Sequence, residues 1–70
     1  MEKIQIDTEY IKLDSLLKFA ALVATGGEAK YVITEGMVEV NGEICTQRGR
    51  KIRPGDKVKF ERFELEVTQA

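Results

Sequence analysis

The hydrophobic period of this chain changes at Gly36–Met37, and no other feature restricts the fold as strongly. Upstream, apolar residues recur every three or four positions: Leu16, Leu17, Ala20, Ala21 and Val23 or Ala24, then Ala29, Val32 and Ile33. That spacing lines one side of a helix. Downstream they alternate, with Val38 and Val40, Val58 and Phe60, and then Phe63, Leu65 and Val67, as in strands with one buried face. Two helices followed by a run of short strands make the chain α+β: two short packed helices, then a small, mainly antiparallel, twisted sheet.

Punctuation residues refine this outline. "KIQI" at the start alternates and predicts a first strand. Asp14 is placed to cap a helix over about 15–24. Thr25 and Glu28 have capping-box spacing, and Gly36 stands where a second helix would end through a left-handed residue. A turn of two or three residues between the helices predicts a tight, steep pair. Asn41-Gly42 is a strong hairpin signal, with "EICT" returning as its partner strand. "RPGD" reads as a further turn, with Asp56 bonding its own backbone. Whether residues 61–70 complete the sheet or form an open edge is not decided by their pattern.

Seventy residues allow one domain, expected to span 1–70, with a modest core. Cys45 is alone and there is no histidine, so an internal disulfide and a zinc site of the usual kind are excluded. Packing must supply the stability. No apolar run approaches the roughly 20 residues of a membrane helix. The lone cysteine fits a reducing compartment, and a cytoplasmic location is expected.

Charge is unevenly spread. Residues 1–43 carry four cations against eight acids, residues 44–60 six cations against Asp56, and residues 61–70 one cation against three acids. A net charge of −1 therefore conceals a basic block whose densest part, Arg48, Arg50, Lys51 and Arg53, spans six residues. Asymmetry of this kind is an electrostatic footprint for a polyanion. Arginine predominates there, which suits two-pronged phosphate contacts. Gly26 and Gly27 open the second helix, where free N–H groups point outward and a phosphate could approach closely, with Lys30 one turn in to neutralise it; taken alone, "TGGEAK" reads equally well as a tight helix–helix turn with its cap. Tyr10 and Tyr31 are read as edging the core, with the phenylalanines on apolar strand positions.

Lys12-Leu13-Asp14, Glu28-Ala29-Lys30, Gly36 through Gly42 and Pro54 through Val58, in this order and spacing, resemble the S-four-like RNA-binding domain family. The likeness covers about 12–60 and is nearest to its small stand-alone bacterial members of the YaaA/YbcJ type. It implies an αL-type fold and a non-catalytic module docking on structured RNA, rRNA or tRNA, in ribosome assembly, translation or rescue. The residues it implicates, with the basic block, are Lys12, Gly26, Gly27, Lys30, Arg48, Arg50, Lys51 and Arg53. Many family members carry two basic residues where this chain has Gly26-Gly27, and Lys12 replaces the usual arginine. Both departures lower the expected affinity or shift the binding load onto 48–53.

Other classes fit less well. An enzyme would need a positioned nucleophile–base pair without histidine, and a cleft of several hundred cubic ångströms that a domain of this size is not expected to hold. No cofactor, metal or membrane is expected. A DNA-binding helix pair would want more cations on the second helix than Lys30. The remaining alternative is a protein–protein adaptor using the acidic N-terminal surface, with the basic loop only solubilising.

Overall fold

A computed structural model describes all residues, 1–70. The chain runs β1 (Glu2–Ile6), β2 (Ile11–Lys12), α1 (Leu13–Phe19), α2 (Gly26–Thr34), β3 (Val38–Val40), β4 (Glu43–Ile44), β5 (Lys51–Ile52), β6 (Lys57–Phe60) and β7 (Phe63–Gln69). Five strands form one sheet in the order β1-β7-β6-β3-β4, and β2 pairs with β5 in a separate two-stranded ladder. Only β1–β7 is parallel, so the sheet is mainly antiparallel as expected. Residues 61–70 complete the sheet from within: β7 bonds β1 on one side and β6 on the other.

The period-two pattern gives each strand one buried side, from which Ile4, Ile6, Val38, Val40, Val58, Phe60, Leu65 and Val67 enter the core. They join Leu13, Leu16 and Leu17 of α1 and Ala29, Val32 and Ile33 of α2 in a single apolar cluster containing no buried polar residue. Burying each large aliphatic side chain contributes about 1.5–3 kcal/mol, so this cluster carries the fold without disulfide or metal.

The second helix follows the sequence closely. Glu28 N–H donates to Thr25 Oγ1 (3.0 Å), and Ala24 N–H donates to Glu28 Oε1 (2.7 Å), one residue earlier than in the usual capping box. At its end Gly36, at φ 77°, donates to Ile33 O and Met37 donates to Val32 O, a Schellman motif.

The first helix departs from expectation at both ends. It begins at Leu13, with Lys12 rather than Asp14 as the N-cap, and it stops at Phe19. Its start is set by distant acceptors: Leu13 N–H donates to Arg50 O (2.9 Å) and Asp14 N–H to Arg48 O (3.1 Å). Its end is also a Schellman motif, in which Ala21 donates to Lys18 O and Leu22 to Leu17 O. Ala21 takes the left-handed position at φ 61°, where glycine is the usual signal. The helices are consequently joined by six residues, 20–25, and not by two or three; the longer path brings Val23 into the core.

The two turn motifs interlock. Asn41 and Gly42 both take positive φ, as the hairpin requires. Asn41 Oδ1 accepts from Lys57 N–H (2.9 Å), and its Nδ2 donates to Asp56 Oδ1 (3.1 Å). Asp56 Oδ2 accepts from Arg53 N–H (2.9 Å) across the Pro54-Gly55 turn, the local bond expected of it. The returning strand β4 is only two residues long, shorter than "EICT", and Cys45 is buried just beyond it. Replacing Asp56 with Ala removes both carboxylate bonds and should destabilise the domain by about 1–2 kcal/mol, lowering Tm by about 4–8 °C per kcal/mol. Thermal unfolding followed by circular dichroism checks this; an unchanged Tm would mean the two turns hold without the interlock.

Candidate nucleic-acid interface

The β2–β5 ladder assembles most of the basic residues. Its register pairs Ile11 with Ile52 and Lys12 with Lys51. Alternation turns Ile52 fully inward and packs Ile11 against the core, leaving Lys12 and Lys51 exposed on the outer side. One step further along the same register, Tyr10 faces Arg53. Arg48 and Arg50 flank a tight turn, closed by Arg50 N–H donating to Gln47 O (3.1 Å). Their own carbonyls are the ones that receive the first amides of α1. Five cations, Lys12, Arg48, Arg50, Lys51 and Arg53, thus gather around the start of α1, all exposed. Their side chains take part in none of the molecule's side-chain hydrogen bonds.

Other cations of the basic block go elsewhere. On the exposed side of the large sheet, Lys57 pairs with Glu66, which in turn pairs with Lys3; Lys59 stands between Glu64 and Glu39. Opposite charges on neighbouring strands attract. Lys57 and Lys59, counted with the loop by sequence, therefore belong to a charge-balanced ladder and not to the cluster.

Gly26, Gly27 and Lys30 lie on α2, and no hydrogen bond joins them to the 48–53 loop. The amides of Gly26 and Gly27 have no partner within the chain. Neither glycine has positive φ; a Cβ at Gly26 would meet nothing within 4 Å, and one at Gly27 only Thr25 Oγ1 at 3.9 Å. Folding alone thus places no demand for glycine at either position, whereas their missing side chains leave two free N–H groups open to solvent.

Phe60 and Phe63 lie on strands and Tyr10 edges the core as expected, but two aromatics depart from expectation. Tyr31 is 62% exposed on α2, and Phe19, 65% exposed, ends α1 and lies on no strand. Tyr10 is half-buried under two cations of the cluster, with Lys51 Nζ 5.0 Å and Arg53 Cζ 5.9 Å from its ring centre. Its place beside these cations does not follow from the sequence reading, although "YIK" and "KIR" share one polar–apolar–polar rhythm that would pair them.

A concavity of about 480 Å³ does exist, contrary to the expectation that so small a domain holds none. Asp7 is the only ionisable side chain in its lining, which also includes Thr8, Ile11 and Phe19. Thr8 Oγ1 donates to Tyr10 O and not to Asp7, so no nucleophile in the lining is hydrogen-bonded to a base. No helix is long and apolar enough to cross a membrane.

The model of the S4 domain matches residues 4–68. This chain belongs to the S4 domain family. It is 47% identical over 60 residues to the "Probable ribosome maturation protein RlbA" of Bacillus subtilis, covering 86% of this chain and 84% of that protein. It is 34% identical over 58 residues to YbcJ of Escherichia coli, with 83% of each chain covered. The solution structure of YbcJ, described as revealing an αL motif involved in RNA binding, superposes with a TM-score of 0.74 over 97% of this chain and 87% of that one, at 30% identity.

Replacing Gly26 with Ala tests the absence of an internal demand for glycine. The substitution should stabilise the fold by about 0.4–1 kcal/mol, since φ there is ordinary and the space is open. Chemical denaturation would show it as a raised midpoint; a lowered midpoint would mean the helix start needs glycine to fold.

Proposed function

We propose that this protein is a non-catalytic RNA-binding module that docks on structured RNA through the cluster at the start of α1, with the start of α2 as a second phosphate contact. The observation that carries the reading is the Lys12–Lys51 pair. Like charges directly opposite each other on adjacent strands are destabilising, and here Arg48, Arg50 and Arg53 add to the same neighbourhood. A fold that holds five cations together with no carboxylate bonded to their side chains is arranged for a polyanion from outside.

Structured RNA fits this shape. The major groove of A-form RNA is too deep and narrow for side chains, so its duplexes are recognised through phosphates, 2′-hydroxyls and shape. A rigid face of cations and free backbone donors meets that need without a catalytic group. The likeness to RlbA, named as a probable ribosome maturation protein, favours ribosomal RNA during ribosome assembly over tRNA. Binding sites on α2 are Gly26, Gly27 and Lys30, and those at the cluster are Lys12, Arg48, Arg50, Lys51 and Arg53.

The test is a titration against purified ribosomal RNA, tRNA and a random-sequence duplex at two salt concentrations. Affinity should fall with a log–log slope of about −0.7 to −0.9 per phosphate neutralised. Absence of binding at low salt would overturn the reading and leave the adaptor alternative. Replacing Arg48 and Arg50 together with Ala should weaken binding at least tenfold, about 1.4 kcal/mol. The fold should persist, because α1 uses only their carbonyls. Gly27→Glu should abolish the α2 contact by placing a carboxylate where the phosphate approaches; parental affinity in that variant would remove α2 from the site.

A further inference from the structure

We infer that Tyr10 is a positioning residue of this interface: its ring holds Lys51 and Arg53 at a fixed spacing, ready for phosphate, before RNA arrives. The inference rests on the RNA-binding reading and goes beyond it by assigning a role to an uncharged side chain.

Three observations place Tyr10 there. The register Ile11–Ile52, Lys12–Lys51 extends to Tyr10 opposite Arg53, so all four outward side chains share one side of the ladder. Lys51 Nζ at 5.0 Å and Arg53 Cζ at 5.9 Å both lie within about 6 Å of the ring centre, the range in which a ring quadrupole attracts a cation. The backbone at Tyr10 is itself pinned, since Thr8 Oγ1 donates to Tyr10 O (2.9 Å). The phenol hydroxyl has no hydrogen-bond partner in the chain, so within the protein the contact with the two cations is made by the ring alone.

The physical gain is preorganisation. Lysine and arginine are long and flexible, and a cation that must be immobilised on binding loses rotamer freedom at that moment. Two cations drawn to one ring have lost part of that freedom already, and the ring attracts each while they repel one another. Tyr10 changes neither the number of charges nor the number of phosphates neutralised. Its removal should therefore alter affinity without altering salt dependence.

The experiment measures binding of purified ribosomal RNA to the parent, Tyr10→Leu and Tyr10→Phe, each also in a Lys51→Ala/Arg53→Ala background, at several salt concentrations. Tyr10→Leu should bind roughly three- to tenfold more weakly, the loss expected when part of the ordering of two side chains is deferred to binding, with the parental salt slope. Tyr10→Phe should bind like the parent, because it keeps the ring. In the Lys51→Ala/Arg53→Ala background Tyr10→Leu should have no further effect, as required of a residue acting through those two. That cycle also guards against partial unfolding, which would weaken binding equally in both backgrounds and would overturn the inference. An undiminished loss in the Lys51→Ala/Arg53→Ala background would overturn the inference, a lowered Tm then pointing to partial unfolding and a parental Tm to direct contact of Tyr10 with the RNA; parental affinity in Tyr10→Leu would mean that the ring positions nothing. If the parent itself fails to bind, the RNA-binding reading falls and this role falls with it.

Discussion

Two backbone hydrogen bonds, from Leu13 and Asp14 of α1 to the carbonyls of Arg50 and Arg48, join the organisation of the fold to that of its surface. A helix of seven residues lies well below the roughly 12–15 needed for an isolated helix to persist in water, so α1 exists because other parts of the chain hold it. The hydrophobic cluster grips one side, and the basic loop supplies acceptors for its first amides. The loop is fixed in return, so its cations project from a defined backbone. Capping a helix and presenting charge are two results of the same contact.

That contact also separates two helix starts that the sequence treats alike. At α1 the first two amides are occupied by the loop and the third, Ser15, donates to Asp14 Oδ1 (2.7 Å), so little donor capacity is left for a ligand. At α2 Thr25 and Glu28 satisfy some groups, while Gly26 and Gly27 keep theirs free. The first start offers side-chain cations on a rigid frame, and the second offers bare backbone. Phosphates along an RNA strand can be met by either chemistry.

What the sequence showed and what it concealed follow from how local each cause is. The change of period at Gly36–Met37, the Thr25 cap, the Asn41-Gly42 turn and the Pro54-Gly55 turn were legible because each depends on residues within four or five positions. The start of α1 was not, because its acceptors lie more than thirty residues away. Its end was hidden by Ala21, which does without signalling what glycine normally announces. The β2–β5 ladder is two residues long on each side, too short for periodicity to reveal. The cluster was visible as composition in 48–53. That Lys12 and Tyr10 complete it, and that Lys57 and Lys59 leave it, are facts of register that no linear count contains.

The paired rows on the large sheet bear on how such a molecule would meet its ligand. Lys3, Glu66 and Lys57 in one row carry one net positive charge, and Glu64, Lys59 and Glu39 in the next carry one net negative charge, so together they cancel. From distances larger than the spacing between these rows their charges cancel, whereas the cluster keeps a net positive field out to the Debye length of about 8 Å. A protein of net charge −1 gains no overall attraction toward a polyanion. What it has is a moment: an uneven distribution that turns the molecule in a field without drawing it in. Encounters would then be sorted by orientation, with the cluster rotated toward the phosphates during the last nanometre of approach.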